Sequence, residues 1–217
     1  MMPHATAVVP LSVMTQEPIF VFPLIGAAVW IGRVWTIDYR ATLAGKPNER
    51  ALPGATPASA WAVTIGSLGA LLILAAETGG EYAFGLSAEQ SKVTALFGLY
   101  SILGAPVLEE VFFRGYLVIE SRGRWALCGG IAAASLLFAL VHPFLWEWTD
   151  RGLTIHVGAK AWFSTTVTVA GTLWLYTVRF FGLNQQRSLL PCFVAHGTKN
   201  LGVIVIKCVQ GFVEGWW

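Results

Sequence analysis

Long apolar runs separated by short polar stretches divide the chain into alternating rods and connections. Ile19 to Trp35 is apolar until Arg33 ends it, long enough to cross a hydrocarbon layer, which takes roughly 17 to 25 helical residues. Residues 38–57 carry Arg40, Lys46 and Arg50 among glycine, asparagine and prolines, which predicts a connecting loop. Pro57 to Thr78 predicts a second span, free of charge until Glu77, and Gly79 to Gln90 a loop of opposite sign. Lys92 to Leu103 is apolar but short, and Gly104-Ala105-Pro106 interrupts it. A proline after two small residues kinks or restarts a helix, so residues 91–120 read either as one bent span or as two partial ones. Beyond the basic turn Ser121 to Arg124, further spans run from Trp125 to His142, Lys160 to Phe181 and Leu189 to Val213, with a polar loop at 147–156. The pattern predicts an all-α fold, a polytopic transmembrane helical bundle of about six to eight membrane helices. Gly129, Gly130, Ala132, Ala133 and Ala134 predict a close approach by a neighbouring helix.

Composition agrees and narrows the class. Of 217 residues, 55% are hydrophobic and only 12% charged, with ten tryptophans and a mean hydropathy of +0.63, far more apolar than a soluble domain. The partner implied is the lipid bilayer. A net charge of +2 without a basic stripe excludes a nucleic-acid partner. Cys128, Cys192 and Cys208 stand singly in apolar stretches without metal or disulfide spacing, and are expected as small core residues. Residues 1–217 read as a single integral membrane domain with a catalytic core at about 90–205. Residues 1–16 lack signal-peptide features and are expected as a flexible tail. If the loops at 38–57, 121–124 and 179–187 share one side, that side holds Arg33, Arg40, Lys46, Arg50, Arg122, Arg124, Arg179 and Arg187, against Lys92, Arg151 and Lys160 on the other. The basic side is cytoplasmic, with both termini outside provided that residues 91–120 cross once.

Candidate chemistry concentrates in Ala105-Pro106-Val107-Leu108-Glu109-Glu110-Val111-Phe112-Phe113-Arg114-Gly115. Ionisable groups in an apolar span are costly, about 2.5 to 3.5 kcal/mol each on insertion scales, and so face the protein interior, find partners and mark function. Glu110 and Arg114, four apart, predict an ion pair. It serves either as a structural pin or as support for the site. Glu109 projects about 100° away and is left over, a carboxyl group in a poorly hydrated pocket, where general acid–base chemistry is favoured. Phe138 and His142 share a face of one later span, as do His196 and Asn200 on the last. Only inward-facing polar groups are tolerated in a bilayer, so the three sets are expected to converge. Depth sets a tension. Counting from the basic turn at 1.5 Å per residue, Glu109 lies about 20 Å up and His142 about 26 Å, whereas His196 falls nearer the opposite face.

Glu-Glu-x-x-x-Arg at 109–114, Phe-x-x-x-His at 138–142 and His-x-x-x-Asn at 196–200, in that order, resemble the CPBP (Abi) family of intramembrane proteases. That family includes type II CAAX prenyl endopeptidases and bacteriocin-processing or immunity relatives, and the resemblance covers roughly 90–205. It implies that Glu109 and His142 activate a water, that His196 and Asn200 bind the oxyanion, and that Glu110, Arg114 and Phe138 support them. It further implies a glutamic-type enzyme with no metal and no cofactor, in a prokaryotic inner membrane. The substrate is expected to be a membrane-anchored, lipidated or exported peptide or protein. The charge-based orientation puts the pocket in the outer half of the membrane, which favours exported or anchored substrates over cytoplasmic prenylated ones. Two alternatives stand beside it. One is a non-proteolytic scaffold or immunity-type protein of the same fold, the other a zinc-dependent membrane protease using the carboxylate and both histidines.

Overall fold

The computed structural model describes residues 16–120, 122–142, 144–149, 152–180 and 182–217. The expected tail therefore lies outside the described residues except for Gln16, which is pinned: its amide donates to the Lys92 carbonyl (3.1 Å) and accepts from Thr94 N–H (2.9 Å).

In chain order come α1 (Pro18–Leu43), α2 (Ala60–Ala83), a 3₁₀ turn (Ser87–Glu89), α3 (Ala95–Leu103), α4 (Ala105–Glu109) and a π-helical segment (Glu110–Tyr116). Then follow α5 (Arg124–Val141), strands β1 (Trp146–Thr149) and β2 (Gly152–Ile155), α6 (Ala159–Phe180) and α7 (Leu190–Gln210). Side-chain oxygens start two helices, Ser59 accepting from Ala62 N–H and Thr94 from Phe97 N–H. Gly211, at φ 78°, ends α7 in a conformation that glycine adopts without strain.

Two elements differ from expectation. α1 runs on to Leu43, through residues expected as loop, because Asp38 remains helical and buried: its carboxylate accepts from Asn48 Nδ2 (3.0 Å) and Leu52 N–H (2.8 Å), folding the following segment back on the helix. The polar loop at 147–156 contains an antiparallel hairpin, with Trp146 opposite Ile155 and Thr149 opposite Gly152.

Four helices, α1, α2, α5 and α7, are long and apolar enough to cross a membrane, and α3 with α4 and the π segment, bent by 41°, brings the number to five. The 22-residue α6 is not among them. At one end Thr56 donates to the Gln186 carbonyl, Leu189 N–H to Gly54, and Arg187 pairs with Glu120. At the other, Val93 N–H donates to the Phe212 carbonyl and Glu81 pairs with Lys160. The segments carrying Arg50, Arg122 and Arg187 thus share an end, while Arg151 lies outside the described residues.

The distribution of polarity is that of a membrane bundle. Glu110, Arg114, Ser135, Thr172 and Arg179 are buried, whereas Phe22, Trp30, Leu72, Trp125, Leu136 and Val209 face outward. On α5 the inward face reads Ile131, Ala134, Ser135, Phe138 and Ala139, the three- and four-residue spacing of one helical stripe. The close helix approach expected at Gly129 does not occur there, since nothing lies within 4 Å of where its Cβ would be. The same stripe meets α6 at Ala134, buried in one cluster with Tyr176, and a tighter approach is made on α7, where a Cβ at Gly197 would sit 3.0 Å from the Ile102 carbonyl oxygen. Two of the cysteines are also on the outside: Cys128 and Cys208 are exposed and only Cys192 is buried.

Candidate active site

Glu109, Phe138, His142, His196 and Asn200 line one cavity of about 290 Å³ between α3, α4, α5, α6 and α7. Glu110 and Arg114 are not in its wall but lie behind it, both 0% exposed and 3.2 Å apart. The bent path of α3 and α4 places this carboxylate pair at mid-bundle. Gly104 N–H still bonds to the Tyr100 carbonyl (2.7 Å) across the bend, and Pro106, which has no N–H to lose, occupies the restart.

Past Glu109 the helix widens. Leu117 N–H bonds to the Phe112 carbonyl five residues back (3.0 Å), the spacing of a π turn, a feature frequent at functional sites. The Tyr176 hydroxyl on α6 donates to the Phe113 carbonyl (2.8 Å), tying the widened turn to its neighbour. Arg114 rests between two rings, 4.8 Å from the Phe138 centroid and 5.0 Å from that of Tyr176, a desolvated setting where cation–π attraction is strongest.

The imidazoles are each fixed at Nδ1. His142 directly follows α5 in an extended conformation, and its Nδ1 lies 2.8 Å from the Phe138 carbonyl. A carbonyl oxygen only accepts, so Nδ1 carries the proton and Nε2 of the neutral ring keeps its lone pair. His196 Nδ1 lies 2.7 Å from Glu110 Oε1, and its Nε2 is 3.7 Å from Glu109 Oε2. By the same reasoning Nδ1 donates to Glu110, and Nε2 becomes a donor only when the ring is a cation flanked by two carboxylates. The Phe138 ring stands between the histidines, with centroids 4.6 Å from His142 and 6.5 Å from His196. Asn200 Nδ2 donates one hydrogen to the Ser101 carbonyl (2.8 Å), and its amide has a second to give.

The depth tension resolves through tertiary geometry. His196 meets Glu110, one residue beyond Glu109 toward the basic end, while His142 reaches the cavity from beyond the end of α5. The ion pair expected between Glu110 and Arg114 is present, but Glu110 also holds His196, which spacing along one helix cannot reveal. Sequence reasoning also passed over Lys199, which lines the cavity and pairs with Glu77 at 2.7 Å. Two opposite charges in separate apolar spans were the available signal.

A model described as type II CAAX prenyl endopeptidase, Rce1-like, matches residues 91–202, more than half of the chain. The chain belongs to that family. Membership makes it one of the CAAX protease-type peptidases, an integral membrane protein with a membrane-protein substrate. No curated protein and no solved structure matches the chain. The matched stretch includes the whole Glu-Glu helix, both histidines and Asn200, and excludes α1 and α2. Among the described residues no three or more His, Cys, Asp or Glu side chains are grouped to hold a metal ion.

The contact at Gly197 positions both neighbours in the motif. Gly197→Val pushes α7 away from the Ile102 carbonyl and carries His196 and Asn200 with it. Displacement of about 1 Å at a reacting centre costs on the order of 10²-fold in rate. We expect that loss in hydrolysis assays while the variant still purifies as a folded, monodisperse protein; wild-type rates would show that the helix contact does not set the geometry.

Proposed function

We propose that the protein is a glutamic-type intramembrane endopeptidase that cuts a membrane-anchored, lipidated or exported protein. The observation that carries this reading is the meeting, in one cavity, of a carboxylate without an ion-pair partner on its own helix, Glu109, with two imidazoles and a carboxamide from separate helices. A water held by Glu109 and His142 Nε2 attacks the scissile carbonyl carbon, and its proton passes to Glu109. The new C–O bond leaves a tetrahedral oxyanion, which accepts from the second Asn200 N–H and from His196 Nε2–H. Collapse breaks the C–N bond, and the proton held at Glu109 passes to the departing amine. Glu110 and Arg114 hold His196 in register, and Phe138 separates the two rings.

The single integral membrane domain of 1–217, with a catalytic core at about 90–205, belongs by this reading in a prokaryotic inner membrane. The basic end of the bundle is placed in the cytoplasm and the cavity toward the outer half, which favours exported or anchored substrates.

The test is hydrolysis of a fluorogenic membrane peptide by purified protein in nanodiscs. We expect turnover that survives chelator, is abolished in His142→Ala, and falls about 10²- to 10³-fold in Asn200→Ala, the usual cost of one oxyanion donor. Loss of turnover with chelator would instead restore the metal reading. Absence of turnover on every membrane peptide would leave a scaffold or immunity-type protein.

A further inference from the structure

The wall that α3 and α4 give the cavity holds a polar side chain for which the reaction has no use so far. Tyr100 lines it together with Phe97, Ser101, Ala105 and Glu109. The residue is only 9% exposed, and the side chains packed around it are apolar, Val21, Ile25, Ala105 and Leu108 among them. A buried tyrosine hydroxyl ordinarily has a hydrogen-bond partner. Among the described residues this one has none.

The ring is turned along the helix toward the reacting groups. A Cβ at Gly104, four residues on, would sit 2.6 Å from the ring's Cδ2 and 2.9 Å from its Cε2, so the ring fills the place that a side chain there would take. Beyond Gly104 the Glu109 carboxylate is close enough to act on the phenol through its charge, which puts the hydroxyl on the cavity side. The ring also closes an apolar crevice between α1 and α3, lined by Ile25, Val29, Leu99 and Leu103. Packing on that side holds the ring and offers the O–H no acceptor. The next residue, Ser101, holds Asn200 Nδ2 with its carbonyl (2.8 Å), so the Tyr100 and Asn200 donors stand at neighbouring positions of one wall.

A buried donor without an acceptor is unfavourable, and an acceptor entering the cavity removes that cost. We infer that the Tyr100 hydroxyl is a substrate-binding donor, giving its hydrogen to a backbone carbonyl oxygen beside the scissile bond while Asn200 serves the scissile carbonyl itself. This rests on the peptidase reading. Tyr100 exchanges no proton with the reacting atoms. The carbonyl it holds does not change charge as the neighbouring bond breaks, so ground state and transition state are bound alike, and the contribution falls on KM rather than kcat.

Tyr100→Phe removes the hydroxyl and keeps the ring. On the fluorogenic membrane peptide in nanodiscs its KM is expected to rise about three- to tenfold, the worth of one neutral hydrogen bond, with kcat little changed. Thermal unfolding in mild detergent is expected to give a Tm equal to or above that of wild type, because the variant no longer buries an unpaired hydroxyl. A purely structural tyrosine would show the reverse, a lowered Tm at unchanged KM. An unchanged KM, whatever happens to kcat, overturns the assignment, and so does a lowered Tm, which would mean that the hydroxyl bonds within the protein. Should wild type not turn the peptide over, fluorescence anisotropy with the same labelled peptide decides. Binding weakened about three- to tenfold in Tyr100→Phe sustains the donor while the peptidase reading falls. Binding that is equal in both proteins, or absent from both, overturns the donor as well.

Discussion

Glu109→Gln is expected to lower kcat by about 10³-fold, within the span that a positioned general base contributes, and to leave the folded protein intact. Both halves follow from its surroundings. The Glu109 side chain is 26% exposed to the cavity, and its nearest charged neighbour, His196 Nε2, is 3.7 Å away, beyond hydrogen-bond range. Replacing the carboxylate by an isosteric amide therefore strands no buried cation and removes no close bond, but it removes the site that receives water's proton. The adjacent Glu110 is the natural control, because it is fully buried and engaged by both Arg114 and His196. Steady-state hydrolysis alongside thermal unfolding in mild detergent separates the two. Retention of activity within tenfold in Glu109→Gln would remove it from the chemistry. Normal stability with a thousandfold loss in Glu110→Gln would transfer the role of base to Glu110.

How far the chain could be read in advance depends on whether its signals are local. Hydropathy alone places α2, α5, α6 and α7 because a helix that faces lipid must be apolar over its whole length, and nothing distant alters that. It fails at the end of α1. Arg33, Asp38 and Arg40 look like the end of a span, yet Asp38 is kept inside by Asn48 and Leu52, partners that a hydropathy window does not weigh. The Glu110–Arg114 pair was legible from four-residue spacing, whereas the π turn that follows Glu109 was not, since the same letters fit an ordinary helix. The bond from Glu110 to His196 joins residues 86 apart in sequence. No periodicity encodes it. Gly129 advertised close packing that the fold does not use, while Gly197, inside a motif noticed for its histidine and asparagine, makes the approach that matters. Small residues permit contact without demanding it, so they predict an interface only where the opposite helix is already known.

Arg114→Met and Glu110→Met should each destabilise the protein by about 3 to 5 kcal/mol, the cost of leaving one member of a buried pair without the other. The cause differs between them. Without Arg114, Glu110 keeps only His196 as a partner, and Glu110 Oε2 already lacks a hydrogen bond. Without Glu110, the guanidinium is left with the Thr172 carbonyl at 3.5 Å and the faces of Phe138 and Tyr176, acceptors too weak to replace a carboxylate. Converting both to Met removes the charges together, and apolar replacement of a whole buried pair is often neutral or stabilising. Thermal unfolding of the double variant in mild detergent should therefore recover most of what either single change loses. Activity should not recover, because His196 no longer has a carboxylate at 2.7 Å to hold Nδ1, and its ring is then free to turn. Restored stability with absent hydrolysis assigns Glu110 to the positioning of His196. Recovery of both would reduce the pair to packing, and singles as stable as wild type would mean that water reaches the charges after all.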